Sequence, residues 1–280
     1  MGGAAANVAY HAALLGANSH LISRVGADAR GQNAVALLRA SGVDTSQIQS
    51  DWHRSTGRVN VTLINGEPQF EIGAQAAWDA IFPPTAPAII FQANVFCYST
   101  LAQRSEQSRR TLHGILGRLS QLNAASRPLR LLDLNLRPPY CDSQVIISSI
   151  RSADVLKLND NELIFLERTF GWKNGAKTVL DRFNLRWVVV THGRNGATLY
   201  GHSIRHTLPA PNVSGGDSVG AGDAFVAALA VAFGAGLSLL EAMPYAVNHA
   251  AWVAGQVGAM PKPSSQGRAA AARSKRSERA

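Results

Sequence analysis

The fold is decided by DSVGAGDAFVAALAVAF, residues 217–233. A glycine-containing loop runs through Asp223 into an alanine-rich apolar segment of high helix propensity. This order predicts a loop that opens a helix, where free backbone N–H groups and the positive end of the helix dipole attract anions. Glycine also lets phosphate oxygens approach the backbone closely. The stretch therefore predicts a phosphoryl-binding turn.

Asp223 is the candidate general base of this turn. A bound anion would repel an aspartate at that place, so its presence suggests a chemical role, such as taking a proton from a hydroxyl nucleophile. The alternative is that Asp223 only caps the helix while the glycines permit a tight turn. Two other phosphate motifs are excluded, because the chain has no GxxxxGK[ST] and residues 220–225 fail GxGxxG at the last position.

Upstream of this loop, short apolar strands alternate with segments of helical period. The predicted strands are 19–26, 94–99, 129–135, 154–159 and 187–193, and the predicted helices are 4–15, 31–41, 105–122 and 161–170. Asn65-Gly66 joins two further strand-like runs into a hairpin at about 57–73, the single antiparallel insertion that we predict. This alternation is typical of an α/β protein with a mainly parallel sheet.

Composition excludes several classes of protein. Hydrophobic residues make up 46% of the 280 residues and charged residues 16%, so the chain is a packed globular protein and not a disordered one. The length suits one domain over about 1–260. We expect no membrane span and no secretion signal, since the apolar runs are too short and no basic start precedes one. Two cysteines without ligand spacing favour a cytoplasmic protein.

The positive charge is concentrated at the C-terminal end. Residues 261–280 carry six Lys or Arg against one Glu, which is +5 of the net +9. This segment has no large apolar residue and cannot offset the entropy of its own ordering, so we predict a basic, disordered tail. A nucleic-acid-binding arm is the alternative for the tail, and we expect no nucleic-acid partner for the body.

Two longer segments and four shorter ones between them occur in a recognisable order. GGAAANVAYHAALLGANSHLISRVG (2–26) comes first and DSVGAGDAFVAALA (217–230) last, with TGRVNVTLINGEPQFEI, YSTLAQRS, LDLNLRPP and LKLNDNEL between them. In these motifs the chain resembles the ribokinase-like (PfkB-type) carbohydrate kinases, and within them the fructokinase-like branch. The resemblance implies a three-layer α/β/α fold with a small β lid at the hairpin. It also implies an enzyme that transfers the γ-phosphate of ATP to a sugar hydroxyl, with fructose as the first candidate.

The resemblance assigns roles residue by residue. Asp223 would be the catalytic base, and the anion hole would consist of the amides of Gly220, Ala221 and Gly222. The residues implied for nucleotide binding are Asn159, Glu162, Thr191, Gly193 and Asn248, with Mg²⁺ held by Glu162 through water. Asp217 and the carbonyl of Val219 resemble a monovalent-cation site, for K⁺. The residues implied for sugar binding are Gly3, Asn7, Asn135 and Arg137.

Several alternatives stay open within this resemblance. Family members carry a strand and a sugar-binding aspartate ahead of the GG motif, where this sequence has Met1. The protein is therefore either a kinase whose true start lies upstream or a non-catalytic module that binds nucleotide or sugar. A kinase for 2-keto-3-deoxygluconate or another sugar is a further candidate, because the net basic body suits a carboxylate. The expected partners are the sugar, ATP and a second copy bound through the lid.

Overall fold

The computed structural model describes residues 2–64 and 67–262. The helices are α1 Ala4–Leu14, α2 Ala29–Ala40, α3 Ala88–Phe91, α4 Glu106–Ser120, α5 Ser143–Arg151, α6 Asp160–Phe170, α7 Gly175–Arg182, α8 Ala221–Gly234 and α9 Leu239–Ala254. The strands are β1 Ser23–Gly26, β2 Ile48–Asp51, β3 Val59–Ile64, β4 Glu67–Ile72, β5 Val95–Ser99, β6 Leu129–Asp133, β7 Val155–Asn159, β8 Trp187–Thr191, β9 Ala197–Tyr200 and β10 Arg205–Leu208.

The central sheet has six strands in the order β10-β9-β8-β7-β6-β5. Strands β5 to β8 are parallel, which confirms the mainly parallel sheet. Strands β9 and β10 run antiparallel, so the prediction of a single antiparallel insertion was wrong. Each of these strands has four residues, too few for a periodic signal, and Gly201 turns the chain between them by donating its N–H to the Ile204 carbonyl at 2.7 Å.

Helices cover both faces of this sheet. Successive residues of a strand point to opposite faces, so Leu132 and Leu156 pack with α4 to α7 while Leu131 and Val155 pack with α8 and α9. All four side chains are fully buried. Burial on both sides explains why these strands read as continuous apolar runs, and it confirms the three-layer α/β/α architecture.

Two smaller sheets flank the central one. Strands β1 and β2 are parallel, and β3 and β4 form the predicted antiparallel hairpin, whose turn at 65–66 lies outside the described residues. The strand predicted over 19–26 is shorter, because His20 makes only an isolated bridge to Asp44. Helix α2 begins earlier than the predicted residue 31, since the carboxylate of Asp28 accepts from Gly31 N at 2.8 Å and caps it.

Composition predicts that the chain has no membrane span and that its C-terminal tail is disordered. Within residues 2–64 and 67–262, no helix has the length and apolar character needed to cross a membrane. The basic tail predicted over 261–280 lies outside the described residues from position 263 onward.

Asp154 comes directly before β7 and binds two arginines. Its carboxylate accepts from Arg127 Nη1 at 2.5 Å and Nη2 at 2.7 Å, and from Arg130 Nη2 at 3.0 Å. Burial opposes the charge, but the hydrogen bonds from the two guanidinium groups outweigh it and lower the pKa of Asp154 to about 2. This carboxylate therefore stabilises the folded chain in its charged form.

Acid is expected to weaken the fold through Asp154. Its folded pKa lies below its unfolded value, so its contribution is present above about pH 4 and is lost as the pH falls toward 2. We expect the free energy of unfolding to drop by about 1–2 kcal/mol from this group in that window. Urea unfolding at a series of pH values measures the drop. If Asp154→Asn lost as much stability across the window as the wild type, the assignment to Asp154 would be wrong.

Candidate active site

The loop before α8 has the backbone geometry of an anion-binding turn. Gly220 is the N-cap residue, with φ 82°, and Ser218 also has a left-handed φ of 54°. Ala221 N donates to the Ser218 carbonyl at 3.2 Å, so the chain turns sharply into the helix. The predicted loop that opens a helix is confirmed. The amides of Gly220, Ala221 and Gly222 lie at the start of this fourteen-residue helix, and their role as an anion hole stays a prediction.

Asp223 lies in the first turn of α8 and meets the other end of the sequence. Asn7 on α1 donates from Nδ2 to Asp223 Oδ2 at 2.6 Å, across 216 positions of the chain. Asn7 is 5% exposed, and its Oδ1 has no hydrogen-bond partner among the described residues. The structure thus joins a predicted sugar-binding residue to the predicted base.

The surroundings of Asp223 suit a proton acceptor. Burial raises its pKa, the neighbouring Asp133 raises it further, and Asn7, Lys157 and Arg137 offset part of the rise, so that the pKa is about 6. A carboxylate of this pKa is charged at neutral pH and binds a proton more readily than an ordinary aspartate. The environment therefore favours general-base chemistry over a simple capping role.

Asp133 and Lys157 form a buried ion pair that sequence reasoning missed. They are neighbours in the register of β6 and β7, and Lys157 Nζ donates to Asp133 Oδ1 at 3.1 Å. Burial opposes the charge on Lys157, but Asp133, Glu162 and Asp223 outweigh it and raise the pKa of Lys157. The available signal was a charged residue inside each of the apolar runs LLDL and VLKL, since a buried charge needs a partner.

Asn159 and Glu162 form a reciprocal cap at the start of α6. Asn159 Oδ1 accepts from Glu162 N at 2.9 Å, and Glu162 Oε2 accepts from Asn159 N at 2.9 Å. Glu162 Oε1 also accepts from Leu136 N at 2.8 Å, which ties α6 to the loop after β6. Burial and Asp133 raise the pKa of Glu162. The capping role is shown, and contact with nucleotide or magnesium stays a prediction.

The donor set fits magnesium held through water. Among residues 2–64 and 67–262, no group of three or more His, Cys, Asp or Glu side chains could hold a metal ion. Mg²⁺ usually keeps several waters and binds substrate phosphates with one or two carboxylates. Each oxygen of Glu162 accepts one amide hydrogen bond and keeps a lone pair for a metal-bound water.

The turn after β8 is fixed by a histidine. Thr191 ends the strand and Gly193 has a positive φ of 54°. Between them, His192 Nδ1 donates to Asp160 Oδ1 at 2.7 Å, and its Nε2 lies 2.9 Å from Thr198 Oγ1. The predicted nucleotide turn is therefore attached to the start of α6. The fifth predicted nucleotide residue, Asn248, is exposed on α9.

The other predicted sugar residues lie on α1 and on the loop after β6. Gly3 is the N-cap of α1, with φ 122°. Asn135 is 4% exposed in a left-handed conformation, and its Nδ2 is buried with no partner in the described part of the chain. Arg137 is exposed, and its charge lowers the pKa of Asp223. The structure thus places Asn7 in contact with Asp223, and the charge of Arg137 acts on the same carboxyl.

Asp217 connects the turn to the segment after α9. Its Oδ1 accepts from Val219 N at 3.0 Å and its Oδ2 accepts from Gly258 N at 2.9 Å. Asp217 N also donates to the Gln256 carbonyl at 3.1 Å. The carboxylate therefore orders the loop by itself, and a monovalent cation at Asp217 and Val219 stays a prediction.

A basic cleft opens beside the base of the hairpin. Its volume is about 1100 Å³, and the residues that line it include Arg30, Arg54, Arg58 and Glu71. Residues 73–76 complete the rim next to β4. An arginine-lined cleft of this size suits a ligand with a negatively charged group.

Comparison with known proteins agrees with this geometry. Residues 1–266 match the sequence profile of the pfkB family carbohydrate kinases. Fructokinase-2 of Oryza sativa subsp. japonica is 31% identical over 242 residues, covering 82% of this chain and 70% of the relative.

Solved structures give the same result. The uncharacterized sugar kinase PH1459 from Pyrococcus horikoshii, in complex with ATP, has a TM-score of 0.80 at 29% identity over 95% of this chain and 86% of its own. The fructokinase from Vibrio cholerae O395 bound to fructose, ADP and calcium has a TM-score of 0.79 at 26% identity over 92% and 86%. This chain is therefore a kinase and belongs to the pfkB family of carbohydrate kinases.

Proposed function

We propose that this protein is an ATP-dependent sugar kinase that transfers the γ-phosphate to a sugar hydroxyl, with fructose as the preferred substrate. The observation that carries the proposal is the placement of Asp223, which combines a helix N-terminus, a hydrogen bond from Asn7 and a pKa of about 6. A fructokinase relative at 31% identity supports the choice of sugar.

In this proposal Asp223 takes the proton of the sugar hydroxyl. The hydroxyl oxygen then forms a bond to the γ-phosphorus, the bond from that phosphorus to the bridging oxygen breaks, and ADP leaves. The amides of Gly220, Ala221 and Gly222 stabilise the charge on the phosphoryl oxygens. Magnesium, when bound, neutralises phosphate charge, and Glu162 would hold it through water.

Two buried amide groups support a hydroxyl-bearing ligand. Asn7 offers an unpaired acceptor, Oδ1, and Asn135 offers an unpaired donor, Nδ2, among the described residues. Leaving such groups unpaired costs about 1–3 kcal/mol each, so a ligand that satisfies them gains affinity. A sugar hydroxyl both donates and accepts, and it matches either group.

A sugar acid such as 2-keto-3-deoxygluconate is the second candidate substrate. The observation in its favour is the cleft whose lining includes Arg30, Arg54 and Arg58, since a guanidinium group suits a carboxylate. Arg54 already pairs with Asp51 at 3.4 Å. Arg137 adds positive charge near Asp223. Fructose has no charged group and would not need these arginines.

A substrate panel tests both candidates. ADP release is measured with ATP, Mg²⁺ and K⁺ in the presence of fructose, ribose or 2-keto-3-deoxygluconate. We expect fructose to give the highest kcat/KM. As a control, Asp181→Asn removes an exposed carboxylate and should give the same kcat/KM values as the wild type. A higher kcat/KM for the sugar acid would replace the first candidate by the second. ATP binding without release for any sugar would contradict the proposed activity and favour a non-catalytic module.

Three further parts of the proposal have their own tests. K⁺ is proposed at Asp217 and the Val219 carbonyl, so replacing it with a large organic cation should lower kcat. A homodimer is proposed through the hairpin of β3 and β4, and sedimentation analysis decides it. A cytoplasmic location is proposed from the cysteine content, and fractionation of cells tests it.

A further inference from the structure

Lys157 is a buried cation that the proposed reaction does not use. Its side chain is 6% exposed and that of its partner Asp133 is 10% exposed. Three carboxylates influence its charge, those of Asp133, Glu162 and Asp223. Lys157 and Arg137 are the cations whose charges act on Asp223, and of these Lys157 is buried whereas Arg137 is exposed.

The ammonium group also lies directly behind the anion-binding turn. A Cβ atom placed on Gly222 would lie 3.3 Å from Lys157 Nζ and would meet no other atom within 4 Å. The second glycine of the turn therefore brings the backbone of α8 close to this charge. Lys157 comes from β7, so its placement depends on the central sheet and not on the turn.

The charges that face Asp223 come from three elements. Asp133 on β6 opposes its ionisation, whereas Lys157 on β7 and Arg137 after β6 favour it, and Asn7 on α1 donates a hydrogen bond. Water screens the charge of the exposed Arg137 more than that of the buried Lys157. Lys157 is thus the cation best placed to balance Asp133.

The remaining elements packed against α8 present neutral groups to it. Burial raises the pKa of Cys97 on β5 to about 12. Burial lowers the pKa of His249 on α9 to about 4, and it also lowers the pKa of His11 on α1. Near neutral pH these three groups carry no charge and cannot substitute for Lys157.

We propose that Lys157 is a positioning residue for phosphoryl transfer, whose ammonium group keeps Asp223 in its charged, proton-accepting form. The proposal rests on the proposed role of Asp223 as general base. The competing explanation is a purely structural ion pair that joins β6 to β7. The two explanations differ in what happens to the titration of Asp223 when the ion pair is changed.

A cycle of three variants separates them. The pH dependence of kcat/KM is measured for Lys157→Met, Asp133→Asn and the double variant, with the exposed Lys177→Met as a matched control. The acid limb is the pH range in which kcat/KM falls as the pH is lowered. We expect its midpoint to rise by about one pH unit in Lys157→Met and to fall by about one in Asp133→Asn. The double variant should return close to the wild type, and Lys177→Met should not move the limb. An acid limb that stays in place in both single variants would overturn the proposal.

Two additions keep the test decisive. If Lys157→Met does not fold, the other two variants test the proposal. Asp133→Asn must lower the midpoint of the acid limb, and Lys157→Arg must leave it within a few tenths of a pH unit of the wild type. Aspartate carboxyl NMR, assigned with Asp223→Asn, follows the same titration without turnover. A protein that lacks kinase activity but shows the NMR shift would contradict the proposed function and support the Lys157 interaction. An active kinase without that shift would contradict the Lys157 proposal alone.

Discussion

Asp223→Asn is expected to lower kcat about 10²–10⁴-fold, because the amide cannot take the proton of the attacking hydroxyl. The substitution keeps the size of the side chain, and its amide oxygen can still accept from Asn7 Nδ2, now 2.6 Å from Oδ2. The KM for the sugar should therefore change little. Steady-state measurement of ADP release with saturating sugar gives the loss in kcat.

Stability distinguishes a catalytic loss from misfolding. Burial and Asp133 raise the pKa of Asp223 to about 6, so its charged form is costly to the folded state at neutral pH. The neutral asparagine removes that cost, and we expect a Tm no lower than that of the wild type. A variant with nearly full kcat would contradict the assignment of Asp223 as base. A lower Tm would contradict the expected stability cost of its charged form.

The same carboxyl sets the acid limit of the wild-type enzyme. The base must be deprotonated to work, and a raised pKa means that protonation already begins near neutral pH. We expect kcat/KM to fall tenfold per pH unit below about pH 6. An acid limit near 4, the ordinary range of an aspartate, would show that the surroundings of Asp223 do not raise its pKa in solution.

Much of the fold follows from local sequence. Strands β6, β7 and β8 carry apolar residues on both faces, which indicates a covered parallel sheet, and the Asn65-Gly66 pair indicates a hairpin between β3 and β4. Strands β2, β9 and β10 were not predicted. Four residues give too little periodicity, and the burial of β2 depends on its pairing with β1.

The candidate site also has a part that local sequence predicts and a part that it does not. Asp223 and the glycines before it were predictable, because a helix start is a local feature. The contact of Asn7 with Asp223 spans 216 positions, and the pair of Asp133 and Lys157 depends on the register of two strands. Only the resemblance to a family pointed to Asn7. Lys157 stands out locally as a charge inside the apolar run VLKL, but nothing local identifies its partner Asp133. Long-range electrostatics of this kind need the folded chain.

Gly220→Ala is expected to lower kcat about 10²–10³-fold by displacing the anion-binding amides. A Cβ atom at this position would lie 2.7 Å from Ala259 Cα and 2.7 Å from Ala259 Cβ, so backbone must move. Ala259 is held in place, because its carbonyl accepts from the buried Nε2 of His11 at 2.9 Å. The turn at Gly220 is therefore the part that shifts, and it carries the amides of Ala221 and Gly222 with it.

Gly215→Ala is the matched control for this displacement. Gly215 has φ 78° against 82° for Gly220, so an alanine at either position carries a similar backbone strain of about 1–2 kcal/mol. A Cβ atom on Gly215 would meet nothing within 4 Å, and so it moves no neighbour. We expect both variants to lose stability in urea unfolding and only Gly220→Ala to lose kcat. Equal kcat in the two variants would mean that the position of these amides does not limit phosphoryl transfer, and the anion hole would have to be sought elsewhere.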